Sequence, residues 1–131
     1  MHTAGIFKGQ FEHSNDIRPF ADGKGFMAMV DMDGMSVGRA VFEPGWRWSD
    51  HVKPIAGTDS CQAAHAGYIM SGHLTVRMDD GSETNFDPGD LMIVAPGHDA
   101  WVVGNEACIM LDWQGALDYA KPTNATHATS S

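Results

Sequence analysis

Seven histidines and two cysteines are the side chains of this 131-residue chain best suited to hold a metal ion. Neutral imidazole binds Zn, Fe, Cu and Ni, and three imidazoles around one ion leave positions open for water or substrate. A bound dication lowers the pKa of a water towards about 7 or polarises a carbonyl. Cys61-x-x-x-His65 offers a thiol close to an imidazole, and a thiolate shifts preference towards Zn. Cys108 lies in the apolar stretch Ala107 to Trp113 and reads as a small buried hydrophobe. Asp99, beside His98, suits either a hydrogen bond that orients an imidazole or, more in keeping with a Pro-Gly-His-Asp turn, a bond to the backbone. The nine methionines are scattered over separate segments and read as core filler rather than copper ligands. The chain has neither a phosphate-binding Gly-rich loop ending in Lys-Ser/Thr nor a Gly-x-Ser-x-Gly nucleophile elbow. Asp79-Asp80 falls in a turn and reads as solvated.

The elements that must position these groups are short strands. Asp33-Gly34, Pro44-Gly45, Ser71-Gly72, Asp80-Gly81, Pro88-Gly89, Pro96-Gly97 and Gly104-Asn105 supply the residues tight turns need. Between them lie the apolar or alternating runs Phe26–Val30, Met35–Phe42, Ala66–Met70, Leu74–Met78, Thr84–Phe86, Leu91–Val94, Trp101–Val103 and Ala107–Trp113. Leu74 to Met78 alternates with the period of a half-buried strand, and its continuation through Asp80-Gly81 to Phe86 predicts a hairpin. Only Gln114–Ala120 suggests a turn of helix. Many short strands with little helix predict an all-β sandwich or barrel. Residues 1–20 read as an N-terminal arm, 21–120 as the barrel, and 121–131, ending in Thr, Ala and Ser, as a disordered tail.

Composition narrows the partners. Eight basic against 17 acidic residues give a formal net charge of −9, and no Lys/Arg cluster is available to neutralise phosphates, so nucleic acid is not an expected partner. No apolar run approaches membrane-spanning length and the N-terminus does not resemble a secretory signal, so the expectation is a cytoplasmic protein with reduced cysteines.

The placement of the turns and histidines resembles the cupin superfamily over roughly Val37 to Trp113. Pro44-Gly45 is followed by five residues and His51, which falls on the first histidine of the family's first motif. Lys53 takes the place of the second. A stretched loop then runs from Pro54 to Ala64, and His65 stands six residues before Gly72, where the family has a glutamate. In the second motif Ala95 replaces the proline, Gly97 keeps the glycine, and Ala100 and Gly104 replace the histidine and asparagine, with His98 in the turn itself. The resemblance implies a single antiparallel barrel, or jelly roll, in which His51, His65 and His98 converge on one divalent ion, Zn or Fe(II), with Cys61 as a further candidate. His2, His13, His73 and His127 lie outside the motifs and read as solvent-facing. Trp46, Trp48, Tyr68 and Trp101 are either barrel core or the lining of a ligand pocket. Lys53 is either solvated or a pocket cation for an acidic substrate.

The function this implies is a metal-dependent enzyme acting on a small organic molecule, of dioxygenase, isomerase or lyase type, with its catalytic residues unassigned. The alternative is a non-catalytic module that senses or carries a small ligand in a barrel whose metal site has degenerated. A homodimer, formed by covering an open sheet edge, is the expected assembly.

Overall fold

A computed structural model of the chain describes residues 5–113; the segments read above as a C-terminal helical turn and a disordered tail lie outside them. Every run expected to be extended is so. In chain order the strands are β1 (Asp16–Pro19), β2 (Gly25–Met32), β3 (Met35–Phe42), β4 (His65–Ser71), β5 (His73–Met78), β6 (Glu83–Phe86), β7 (Leu91–Val94), β8 (His98–Val103) and β9 (Cys108–Asp112). They form two antiparallel sheets, one of six strands in the order β1-β2-β3-β9-β4-β7 and one of three in the order β6-β5-β8. The expected hairpin is β5–β6, pairing Leu74 with Phe86 and Arg77 with Glu83. This is an all-β jelly roll.

The alternation of side chains decides what faces inward. On β9, Cys108, Met110 and Asp112 are buried, and on β4 so are His65, Gly67 and Ile69. Their neighbours on β3, Ala40 and Phe42, join Met27, Trp46, Trp48 and Val52 in the core. Phe20, Phe42 and Trp46 pack ring against ring, with the Phe42 and Trp46 centroids 4.1 Å apart. Burying rings of this size supplies much of the core's apolar area.

Two features differ from expectation. The large sheet begins at Asp16, inside the segment read as an arm, because β1 pairs with β2 from Asp16–Met29 to Pro19–Phe26. The run Asp-Ile-Arg-Pro lacks alternation and ends in proline, which an edge strand tolerates. The stretch after Trp46, where no helix was expected, forms two single-turn helices, α1 (Trp48–His51) and α2 (Lys53–Ala56). Among the described residues no helix is long and apolar enough to cross a membrane.

Candidate metal centre

Cys61, His65 and His98 come together inside the barrel. One ligand atom from each lies within 4.8 Å of the other two, and all three residues are buried. Each arrives by a different route. His65 is the first inward residue of β4, paired across to Val94 of β7. His98 opens β8 immediately after the Pro96-Gly97 turn. Cys61 sits in the stretched loop, which is stitched to that turn by backbone bonds: Cys61 N–H donates to His98 O at 2.7 Å, and Gly97 N–H donates to Cys61 O at 2.7 Å. Ser60, next to Cys61, donates its hydroxyl to Asp79 at 2.9 Å, while Asp79 N–H donates to Gly97 O. Gly97 has φ +94°, and a Cβ there would stand 3.0 Å from the Asp79 carboxylate, so the turn depends on glycine.

The orientation of both imidazoles is fixed from behind. His98 donates Nδ1–H to Ala95 O at 2.9 Å, and His65 Nδ1 lies 2.5 Å from Oδ2 of Asp112. The Nε2 of His65 is 3.7 Å from Cys61 Sγ, and the two rings meet edge to face with centroids 5.1 Å apart. The charges are coupled. Burial, the largest single influence, pushes the Cys61 thiol up, but hydrogen bonds from His65 and His98 and their charges together outweigh it and bring it down to about 6. Burial likewise depresses His65 first, and the bonds to Asp112 and Cys61 with their charges reverse this and raise it to about 10. Cys108, without such partners, is pushed up by burial to about 12 and remains an inert core thiol.

These donors fit a metal ion. Tetrahedral coordination with Zn–S near 2.3 Å and Zn–N near 2.0 Å separates sulfur from nitrogen by about 3.5 Å, against the 3.7 Å found. Two imidazoles and a thiolate are also the donor types Zn prefers. Thiol, imidazole and carboxylate stand in the order of a nucleophile with its base and orienting group as well. Cys61, His65 and His98 are equally buried, so access does not separate the two readings, and the match of donor types to zinc favours the ion.

Of the expected ligands, His65 and His98 are brought together and Cys61 completes the group. His51 stands outside it. Its segment is helical, so the ring folds back and Nδ1 accepts the Arg47 N–H at 3.0 Å. The expected pocket divides in a similar way. Trp46 and Trp48 are core residues. Tyr68 is on the face of β4 opposite His65 and is partly exposed. Trp101 alternates outward from the inward His98 and Ala100 and lies under the Arg47 guanidinium, 4.3 Å from its centroid. Lys53 is half exposed with Asp59 at 3.9 Å. Tyr68, Trp101 and Lys53 are therefore not interior lining: strand parity turns the two rings outward, and α2 carries the lysine to solvent. Asp99 bonds to the backbone, accepting from Ser49 N–H and Ala100 N–H. The carboxylate behind an imidazole is instead Asp112, which the sequence reading passed over. Its signal was an acid at the third inward position of the alternation Cys108-Met110-Asp112.

No family profile matches the chain, and no curated protein matches it in sequence. Solved structures do match in shape. A Rhizobium leguminosarum protein of unknown function is 16% identical, with TM-score 0.60 over 92% of this chain and 100% of that one. The Halomonas protein KdgF is 17% identical, with TM-score 0.56 over 86% and 94%. Lactobacillus farciminis oxalate decarboxylase, solved as a formate complex, is 20% identical, with TM-score 0.54 over 80% of this chain and 32% of its own. A Klebsiella pneumoniae protein described by its double-stranded β-helix domain also matches, with TM-score 0.53 and 21% identity over 79% and 85%. With two antiparallel sheets closed around buried histidines, and these neighbours, the chain has the double-stranded β-helix fold.

Proposed function

We propose that this barrel holds one divalent ion through Cys61 Sγ, His65 Nε2 and His98 Nε2, and that it is a metal-dependent enzyme acting on a small organic molecule. The observation that carries the reading is the convergence of three buried ligand atoms within 4.8 Å, supplied by a loop and two strands distant in sequence. Three protein ligands leave a position for water or substrate. The thiolate favours zinc over Fe(II), and zinc supplies Lewis-acid rather than redox chemistry. Among the reaction types considered, that favours an isomerase or lyase over a dioxygenase. A decarboxylase among the solved neighbours is in keeping with lyase chemistry. The residues of this chain would hold the ion, fix the imidazoles by Nδ1 hydrogen bonds and exclude bulk water. The aromatic-pocket alternative draws less support, because Trp46 and Trp48 pack in the core while Tyr68 and Trp101 face outward.

Self-association also belongs to this reading. The outer face of β9, β4 and β7 carries Leu111, Tyr68, Met70, Leu91, Ile93 and Trp113 with no charged residue among them; Leu91 and Ile93 are 72% and 80% exposed. In a chain of net charge −9, an uncharged face at an open edge is where two copies approach with least repulsion. The proposed partner is a second copy, in the cytoplasm.

Zinc titration of the metal-free protein against a competing chelator tests the metal reading. One ion per chain is expected, lost in His65→Ala and His98→Ala. Failure of the wild type to take up zinc, cobalt or iron(II) overturns it.

A further inference from the structure

Among the described residues Asp112 is the only fully buried carboxylate, at 0% exposure. An acid is costly in such a place unless something there requires its charge. Its position is built by the sheet. On β9 it lies directly across from Gly38 of β3 and Gly67 of β4, so neither strand sets a side chain opposite it. His65 shares the inward face of β4 two residues from Gly67 and is thus the diagonal neighbour of Asp112, within reach of a long side chain. The glycine is required there: a Cβ on Gly67 would stand 2.3 Å from Leu111 O. Across that gap His65 Nδ1 and Asp112 Oδ2 meet at 2.5 Å.

We propose that Asp112 is the positioning residue of the metal centre: it holds the Nδ1–H of His65, so that the proton lost on loading leaves from Nε2 and its lone pair meets the ion, and it supplies the second negative charge that matches the site to a dication. The inference rests on the metal-binding reading above. Its logic is electrostatic. A thiolate and a carboxylate together bring −2 beside the ion, which attracts a divalent ion more strongly than a monovalent one. Replacing the carboxylate by an amide removes half of that charge and so costs a divalent ion more than a monovalent one.

Asp112→Asn keeps the shape and an acceptor for Nδ1–H while removing the charge. Zinc alone and, under anaerobic conditions, copper(I) alone would be titrated into wild type and variant against chelators. The expected result is a fall of about 10- to 100-fold in zinc affinity with a smaller fall for copper(I). Equal losses for both ions, or no loss for zinc, overturn the proposal while leaving the metal site standing. A wild type that takes up no zinc overturns both. Because the variant can fail to fold, the second measurement uses wild type: nitrogen-15 NMR of the zinc-loaded protein should show His65 protonated at Nδ1 and metal-bound at Nε2. The opposite tautomer overturns the assignment.

Discussion

The behaviour of the centre turns on Cys61 and His65 being coupled. Between about pH 6 and about pH 10 Cys61 is held as a thiolate and His65 as an imidazolium. Loading a dication in that window requires the loss of one proton, from His65 Nε2. Zinc affinity is therefore expected to rise about tenfold per pH unit across it, and to fall more steeply below pH 6, where the thiol must also ionise. Calorimetric titration at several pH values, in buffers of different ionisation enthalpy, reads both the slope and the released proton; a flat profile contradicts the coupling. Substitution separates the proposed ligands from their sequence neighbours. Cys61→Ser is expected to weaken zinc binding at least about 100-fold, whereas His51→Ala should leave it within about twofold in the same titration. His65, His98 and Cys61 were all legible as candidates because metal-binding side chains are few. His51 misled because it matches a motif position yet closes a helical turn that folds its ring back onto Arg47. Asp112 was missed because one acid in an apolar run carries no spacing signature until β9 is paired with β4.

At the level of elements, the centre depends on the loop carrying Cys61 being fastened to the turn carrying His98. Gly97 is the joint: its N–H bonds to Cys61 O, its carbonyl accepts from Asp79, and its φ of +94° suits glycine alone. Gly97→Ala is expected to cost about 1–3 kcal/mol of stability and to weaken zinc binding. Thermal melts with and without zinc check this, and a variant melting with the wild type in both states counts against the joint. Eight of the nine strands were legible because turn residues punctuate them and Leu74 to Met78 alternates. β1 was not, since its identity comes from pairing with β2 rather than from its own pattern. The fastening of the loop was also invisible, being made by backbone groups that are alike in every residue.

For the whole molecule, the architecture follows from two sheets whose inward faces share one core, with Cys61, His65 and His98 buried beside it. The outer surface is uneven. Part of it is covered by the N-terminal segment, where Arg39 lies over Phe11 and pairs with Glu12, while the face of β9, β4 and β7 presents Leu91 and Ile93 to solvent. Light scattering is expected to show a dimer, and Leu91→Asp with Ile93→Asp a monomer that still binds zinc; a monomeric wild type contradicts that assembly. The barrel could be anticipated from the sequence, which also offered Cys61, His65 and His98 as candidates, but which side of each strand met the interior could not, since the helical turns after Trp46 interrupt the alternation. The proposed chemistry depends on sulfur and two imidazole nitrogens sharing one ion. X-ray absorption at the zinc edge of the loaded protein measures this directly. It should give one sulfur at about 2.3 Å and two imidazole nitrogens at about 2.0 Å. A shell of nitrogen and oxygen without sulfur would contradict it.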